Sequence, residues 1–451
     1  MKYTIYLFLP FVLLTACSKS YLEESPSNQF GTPNDLTRLQ SLLNNEILMG
    51  ETPVLGEESA DDHYLMTDYY NILPQQDKNV YTWEKDLYPG KTNIPDYNIP
   101  YSQVFTCNLV LEGLGKIEPG IFQHEWNETK GTALFMRSYA FFNLVQIYAT
   151  VYDPATDTMP GISLPLSTNI IVVPARSSIK HTYDQIIADL KTALPLVPRP
   201  VTTRSLPSKP AIYALLARIY LSRRDYSSAL SMADSCIRMH DSLLDFNTLN
   251  KSLRYPIPAT NKEILYQSWL SSSSNVILGR KGDCIIDSTL YSSYDNNDLR
   301  KEIFFMLNPS ALPAFKNNGT GKAFAFSGLS ISEMYLIRAE CTARIGDFTQ
   351  AINDINTLQE KRYSTGTFKK YSAASYQDAM TIILRERRKE LIFRGLRWTD
   401  LKRLNKEEAG IILTRLFNGN TRQLLPKSNH YVLPIPDDAL TGGTITQNIR
   451  D

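Results

Sequence analysis

"SKPAIYALLARIYLSRRDYSSALSMADSCIRMH" runs from Ser208 to His240, and "SISEMYLIRAECTARIGDFTQAINDINTLQEKR" runs from Ser330 to Arg362. At a shift of 122 residues the two stretches correspond: Tyr213 falls on Tyr335, Ala217 on Ala339, Asp225 on Asp347, Tyr226 on Phe348 and Ala229 on Ala351. Each reads as a helix, a three-residue turn and a second helix, because apolar residues recur at three- and four-residue steps on both sides of a polar break. Alanines twelve residues apart, Ala217 and Ala229, let the two backbones approach closely. The aromatics then fill the gap to the next helix pair. That is the logic of the tetratricopeptide repeat. Thr342 stands where Tyr220 does, which makes the second copy the weaker one. Copies this far apart do not form a continuous solenoid, so other segments are expected to supply the intervening layers.

Outward from the repeats, "YSQVFTCNLVLEGLGKI" (Tyr101–Ile117) and "TKGTALFMRSYAFFNLVQIYA" (Thr129–Ala149) carry the same helical period. "TYDQIIADLKTALPLVP" does so too, with Thr182 as its cap and Pro195 and Pro198 closing it. From Tyr21 to Pro100 the period is irregular. One helix stands out there, near Asn34 to Asn45, with Asn34 as N-cap and Leu36, Leu39, Leu42 and Leu43 on one face. Long stretches rich in proline, glycine, serine and asparagine separate the helices: Val151–Lys180, Thr248–Pro313 and Asn418 to the end. Such loops carry function more often than neutral connections do. A short hairpin is expected around "YVLPIP" (Tyr431–Pro436). The expected fold is mostly α: tetratricopeptide-like helical repeats in a right-handed superhelical scaffold, decorated by long loops with a few short strands.

The leader fixes an expected location. Its apolar run from Ile5 to Leu14 is about half of what a bilayer-spanning helix needs. Leu14-Thr15-Ala16-Cys17 matches the bacterial lipobox, which makes residues 1–16 a signal peptide and Cys17 the lipid attachment site. Several acyl chains together hold a protein on a membrane where one would release it. The formal charge is +1, from 47 basic and 46 acidic residues that are scattered rather than blocked. That balance lacks the basic footprint of a nucleic-acid binder. Cys107, Cys236, Cys284 and Cys341 form no CxxC pair, and the first, second and fourth lie in helical patterns as small apolar fillers. The five histidines are widely separated, and no HExxH, GxSxG, P-loop or GxGxxG accompanies them. The reading is of a binding protein, not an enzyme, with no cofactor and no metal.

Five stretches carry a family likeness, in the family's order: the lipobox with "SKSYLEESPSNQF", then "MRSYAFFNLVQIYA", "PAIYALLARIYLSRRDYSSAL", "EMYLIRAECTARIGD" through "ILRERRKELIFRGLRWTDLKRL", and "LPIPDDALTGGTITQN". On them the chain resembles the SusD/RagB family of outer-membrane nutrient-binding lipoproteins of Bacteroidetes. The resemblance implies a lipid-anchored protein on the cell surface. It would capture an oligosaccharide and deliver it to a SusC-type TonB-dependent β-barrel transporter. It also implies an N-terminal region, 17–250, and a C-terminal region, 251–451, packed as one compact unit. The arginine-rich stretch from Arg385 to Arg403 reads as a salt-bridged helix pair rather than an anion site.

Sugars present apolar C–H faces and a rim of hydroxyls, which aromatic rings and polar side chains match respectively. Residues 64–101 hold eight aromatics in 38 residues, all tyrosine or tryptophan, against 11% aromatic over the chain. The candidate ligand contacts are therefore Tyr64, Tyr69, Tyr70, Trp83 and Tyr97, with Asp61 and Asp62 of "SADDHY" as polar partners and Trp269 with Arg280 as a second group. Trp83 leads. Tyr81, Tyr88 and Tyr101 are expected to anchor the loop on the helices. The alternative is a peptide-binding lipoprotein of a peptide uptake system, since tetratricopeptide helices commonly hold extended chains.

Overall fold

The computed structural model describes residues 35–200, 203–277, 282–316, 319, 321 and 324–451. Cys17, Asn34 and Arg280 lie outside them. Among the described residues ten helices reach eight residues: α1 (Leu36–Leu43), α2 (Pro95–Leu114), α3 (Gln123–Tyr148), α4 (Ile179–Ala193), α5 (Lys209–Ser222), α6 (Tyr226–Met239), α7 (Ile331–Arg344), α8 (Phe348–Gln359), α9 (Tyr376–Glu390) and α10 (Arg397–Lys406). The fold is mostly α and tetratricopeptide-like.

The two repeat copies are built alike down to their caps. Ser208 accepts from the Ala211 N–H at 3.4 Å and Ser330 from the Glu333 N–H at 3.4 Å. Asp225 accepts from Ser228 at 3.1 Å and Asp347 from Gln350 at 3.0 Å. Each cap satisfies a donor the helix cannot satisfy itself. The turn between the helices needs a left-handed residue, supplied by Gly346 (φ +99°) in one copy and Arg224 (φ +61°) in the other. Glycine adopts that conformation freely, whereas a residue with a Cβ is strained by about 1 kcal/mol.

One expectation fails. Among the described residues no further helical layer separates the copies: α6 packs directly on α7. Arg218 on α5 reaches Glu333 on α7 through two bonds of 2.8 and 2.6 Å, both side chains buried. While Leu243, Leu265, Tyr266 and Leu329 stay with the core of the helices, many of the described residues between the copies instead join a second core. Val54, Tyr70, Tyr81, Phe246, Phe305 and Phe393 belong to it. A four-stranded antiparallel sheet lies there, in the order His63–Leu65, Cys284–Ile286, Pro313–Phe315, Phe305–Leu307. The larger core follows the helices from Leu39 to Ile445 and so draws on both ends of the chain.

Smaller departures have local causes. The cap of α1 is Asp35, which accepts from Thr37 at 2.9 Å. The cap of α4 is Ser178 rather than Thr182, whose hydroxyl donates back to the Ser178 carbonyl at 3.0 Å. Four helices of four to seven residues lie between Glu46 and Tyr81; elements that short leave no readable period. The hairpin is Leu413–Phe417 with Asn420–Leu424, not "YVLPIP". Its turn residues Asn418 (φ 49°) and Gly419 (φ 75°) are both left-handed, the requirement of the tight turn that matches strand twist. The four described cysteines are free and buried, as fillers would be. No described helix is long and apolar enough to cross a membrane.

Candidate ligand-binding site

The aromatic-rich loop is a floor, not a platform. Trp83 is 3% exposed. Its indole N–H donates to the Ser59 carbonyl at 2.9 Å, and its ring lies 5.3 Å from the Arg415 guanidinium. Tyr69 donates to the Asn275 carbonyl, and Tyr70 packs against Phe417 at 5.1 Å and Tyr81 at 5.9 Å. Short helices bury little apolar surface by themselves, so large rings fill the space between them. Arg415 then staples the layer, lying 4.2 Å from the Tyr81 ring and donating to the His63 carbonyl at 2.6 Å. Tyr81 and Tyr88 are buried, which suits an anchoring role.

Asp61 and Asp62 are likewise taken up by structure. Asp61 receives two bonds from Arg397, at 2.6 and 2.9 Å, and Asp62 one from Arg388 at 2.7 Å. Burial opposes ionisation of Asp61, but Arg397 and then Arg388 outweigh it and hold the carboxyl well below its usual range. Both acids join the salt-bridged arginine stretch, in which Arg387 meets Asp400 at 2.8 Å and Arg403 meets Glu340 at 2.6 Å.

Two candidates keep a reachable surface. Tyr64 stands exposed on the strand His63–Leu65. Trp269 is half-buried, its ring 6.3 Å from Phe324 and lying over Gly50. A Cβ on Gly50 would sit 2.5 Å from the indole, so glycine is what lets the ring settle there.

Tyr97 leads to a different place. It begins a stripe on α2, with Tyr101 and Phe105 following at four-residue steps, hence on one face. Burial falls along the stripe: Tyr97 is buried, Tyr101 half-buried and Phe105 exposed. The Tyr97 and Tyr101 rings lie 4.8 Å apart, and Tyr97 meets Tyr148 edge-on at 5.2 Å. The stripe lines a cleft of about 410 Å³ with the 163–174 loop and residues 438–445. Volumes of roughly 300–1,000 Å³ are usual for small-molecule sites.

The opposite wall is held firmly. Tyr101 donates to the Ser163 carbonyl at 3.1 Å, and Asn108 to Pro165 and Ser167 at 2.9 and 3.2 Å. Asn108 itself accepts from Arg137 at 2.9 Å, and Arg137 forks onto Asp189 at 2.8 and 2.9 Å. Asp438 accepts from the Asn93 N–H at 2.9 Å and fixes the C-terminal side. Burial raises the Tyr97 and Tyr101 phenols, so both stay protonated at neutral pH. The loop's tip shows an aliphatic run to solvent: Ile170 is 78% and Ile171 89% exposed, with Val172 and Val173 beside them. Contiguous exposed apolar surface of this kind marks a contact region. Apolar rings and aliphatics, with Asn98, Asn169, Asp438 and Thr444 around them, can match the two faces of a sugar.

Phe105, the 163–174 loop and the C-terminal segment were not among the sequence candidates. The spacing 97, 101, 105 was one available signal, and the apolar run Ile170–Val173 in an otherwise polar loop was another.

Two family models match the chain: one described as "Starch-binding associating with outer membrane" over residues 20–221, and one described as "SusD family" over residues 316–448. A SusD-like protein P2 of Formosa agariphila is 23% identical over 404 residues, 75% of this chain and 76% of the relative. A SusD superfamily protein of Bacteroides thetaiotaomicron has a similar structure, with TM-score 0.75, 20% identity and coverage of 92% of this chain and 100% of the other. A putative sugar binding protein of Bacteroides vulgatus is similar at TM-score 0.74 and 20% identity, with 92% and 99% covered. Matched by family models in both its N-terminal and C-terminal parts and sharing the helical architecture throughout, the chain belongs to the SusD/RagB family.

Proposed function

We propose that the protein binds an oligosaccharide in the cleft between α2, the 163–174 loop and residues 438–445. The observation that carries this reading is the Tyr97–Tyr101–Phe105 stripe facing amides and a carboxylate in one cleft. Rings take the C–H faces of a sugar, and Asn98, Asn169 and Asp438 bond its hydroxyls. The sugar-binding description of the Bacteroides vulgatus structure and the starch-binding description of the family model support the same ligand class. Calorimetric titration of the mature chain with a panel of neutral oligosaccharides tests it: at least one should bind with a measurable heat, and silence across the panel contradicts the reading.

The finer reading places this capture at the outer membrane, with Cys17 lipidated and the bound sugar handed to a SusC-type TonB-dependent β-barrel. The lipobox at Leu14–Cys17 and the family support it. Cys17→Ala should abolish fatty-acid labelling and release the protein from the membrane fraction. A mild detergent extract of the lipidated protein should contain a complex with a large β-barrel, and recovery as a lone monomer counts against the partnership.

A further inference from the structure

A second cavity, about 590 Å³, opens next along the same segments, between Val151, Met159 and Pro160 on one side and residues of α10, the turn at Pro426–Asn429 and the C-terminal segment 447–449 on the other. Its charge is one-sided. Arg176, Lys402, Lys406 and Lys427 line it against a single carboxylate, Glu408. Two of the cations stand in surface pairs, Lys406 with Asp153 at 2.8 Å and Lys427 with Glu408 at 3.0 Å. Exposed pairs of this kind are weak and exchange partners readily.

The other two meet neutral oxygens. Lys402, buried, donates to the carbonyls of Gln146 and Ala149 at 2.7 and 2.8 Å. Arg176 donates to Gly161, Thr446, Tyr148 and Pro160 carbonyls and to the Asn448 amide oxygen, at 2.8 to 3.2 Å. Both cations therefore sit at the C-terminal end of α3. A helix end contributes about half a negative charge, less than the full charge of Arg176 together with the part-charge of the buried Lys402. Such a wall favours an anion.

We infer that this cavity takes the carboxylate or sulfate group of an acidic sugar. A charged Lys402 has three N–H donors and spends two on α3, which leaves one for the ligand. Arg176 spends its donors on the wall and contributes charge alone. Val151, Met159 and Pro160 add an apolar side, and the volume far exceeds what a bare inorganic anion fills. The anion thus arrives on a larger, partly apolar body, which is a sugar ring on the reading given above.

Proton linkage gives the inference a signature. Burial, with no carboxylate to offset it, pulls Lys402 down to about 7. The titratable and charged groups lining the cavity with it are Arg176 from the strand Arg176–Ser178, Lys406 and Glu408 from its own helix and the turn beyond, Lys427 and Tyr431 from the following segment, and Asp153 through Lys406. An incoming anion raises Lys402 again, so binding slightly above neutral pH takes up part of a proton.

The test is titration of the mature chain with glucuronate, glucose 6-sulfate and glucose, in two buffers of different ionisation heat. Both anions should bind at least about tenfold more tightly than glucose, with net proton uptake. The double variant Lys406→Glu/Lys427→Glu changes exposed side chains only. It should keep the thermal midpoint and weaken both anions by about tenfold, while Lys402→Gln should abolish the proton uptake. Glucose binding as tightly as glucuronate, no binding of either anion, or anion affinity untouched in the double variant would each overturn the inference. Neutral oligosaccharides bound normally beside such a failure leave the cleft's reading standing; anions bound while the neutral panel is silent do the reverse.

Discussion

Two ionic regions of this molecule, both rich in arginine and lysine, differ in how that charge is answered. In the first, Arg300 meets Asp298 and Glu386 at 2.7 Å and Glu390 at 3.2 Å, Arg362 meets Glu263 and Glu390 at 2.8 Å, and Lys389 meets Asp298 at 2.8 Å. Every cation there has a carboxylate. It ties α9 to the 263–300 segment, and it has nothing left to offer a ligand. In the second, Lys402 is buried and Arg176 half-buried, with backbone carbonyls and an amide as their partners. A carbonyl satisfies a hydrogen bond without cancelling the charge. Paired charge fixes a fold, and unpaired charge in a cavity wall is free to recognise something.

The largest effect is expected in the paired network. Glu390→Ala removes one carboxylate from two buried arginines and should destabilise the protein by about 3–5 kcal/mol, read by urea unfolding; a cost under about 1 kcal/mol would mean that the network is dispensable. The second region should respond to pH instead. Lys402 loses its proton at about 7 in the folded protein, while the unfolded chain holds it to about 10.5. The folded state then binds fewer protons between those values, so stability should rise with pH across the window. From pH 7 to 9 the gain is about 2 kcal/mol. Lys402→Met should remove that slope and leave the rest of the pH profile unchanged; a slope that persists assigns it to another group.

Trp83 sharpens the contrast between a ring that fills space and a ring that meets a ligand. Trp83→Phe strands the Ser59 carbonyl in the core and should cost about 1–2 kcal/mol, with sugar binding unchanged. The smallest effect is expected at the repeat turn. Arg224→Gly relieves a left-handed arginine at the loss of a 3.0 Å bond to the Tyr152 carbonyl and long ion pairs with Asp153 and Glu407 at 3.7 and 4.0 Å. It should change thermal stability by less than about 1 kcal/mol, towards stabilisation, and a larger loss would show that the arginine's contacts outweigh the strain.

The repeat was legible because its signal is local: caps, alanines and aromatics recur at one fixed shift and report directly on helix packing. The direct stacking of the copies was not, since sequence distance says nothing about whether 89 intervening residues join a stack or leave it. Ring exposure was illegible for a related reason. Tyr64 and Trp83 share a composition-rich stretch, yet one faces water and the other lies under Arg415. What decides is a partner more than 300 positions away in the chain. The cleft itself joins residues near 100, 170 and 440, and only the folded chain brings them together.

The Tyr97–Tyr101–Phe105 stripe of α2 carries the proposed site, and Phe105 is the side chain to remove. Its ring is exposed, and its loss should leave the thermal midpoint nearly unchanged. Calorimetry of Phe105→Ala with the tightest neutral oligosaccharide, beside Tyr64→Ala as the matched exposed ring outside the cleft, is the direct comparison. Phe105→Ala should weaken binding by at least about fivefold, and Tyr64→Ala should bind as the unmodified protein does. Full affinity in Phe105→Ala together with loss in Tyr64→Ala would place the ligand on the N-terminal strand instead and contradict the central claim.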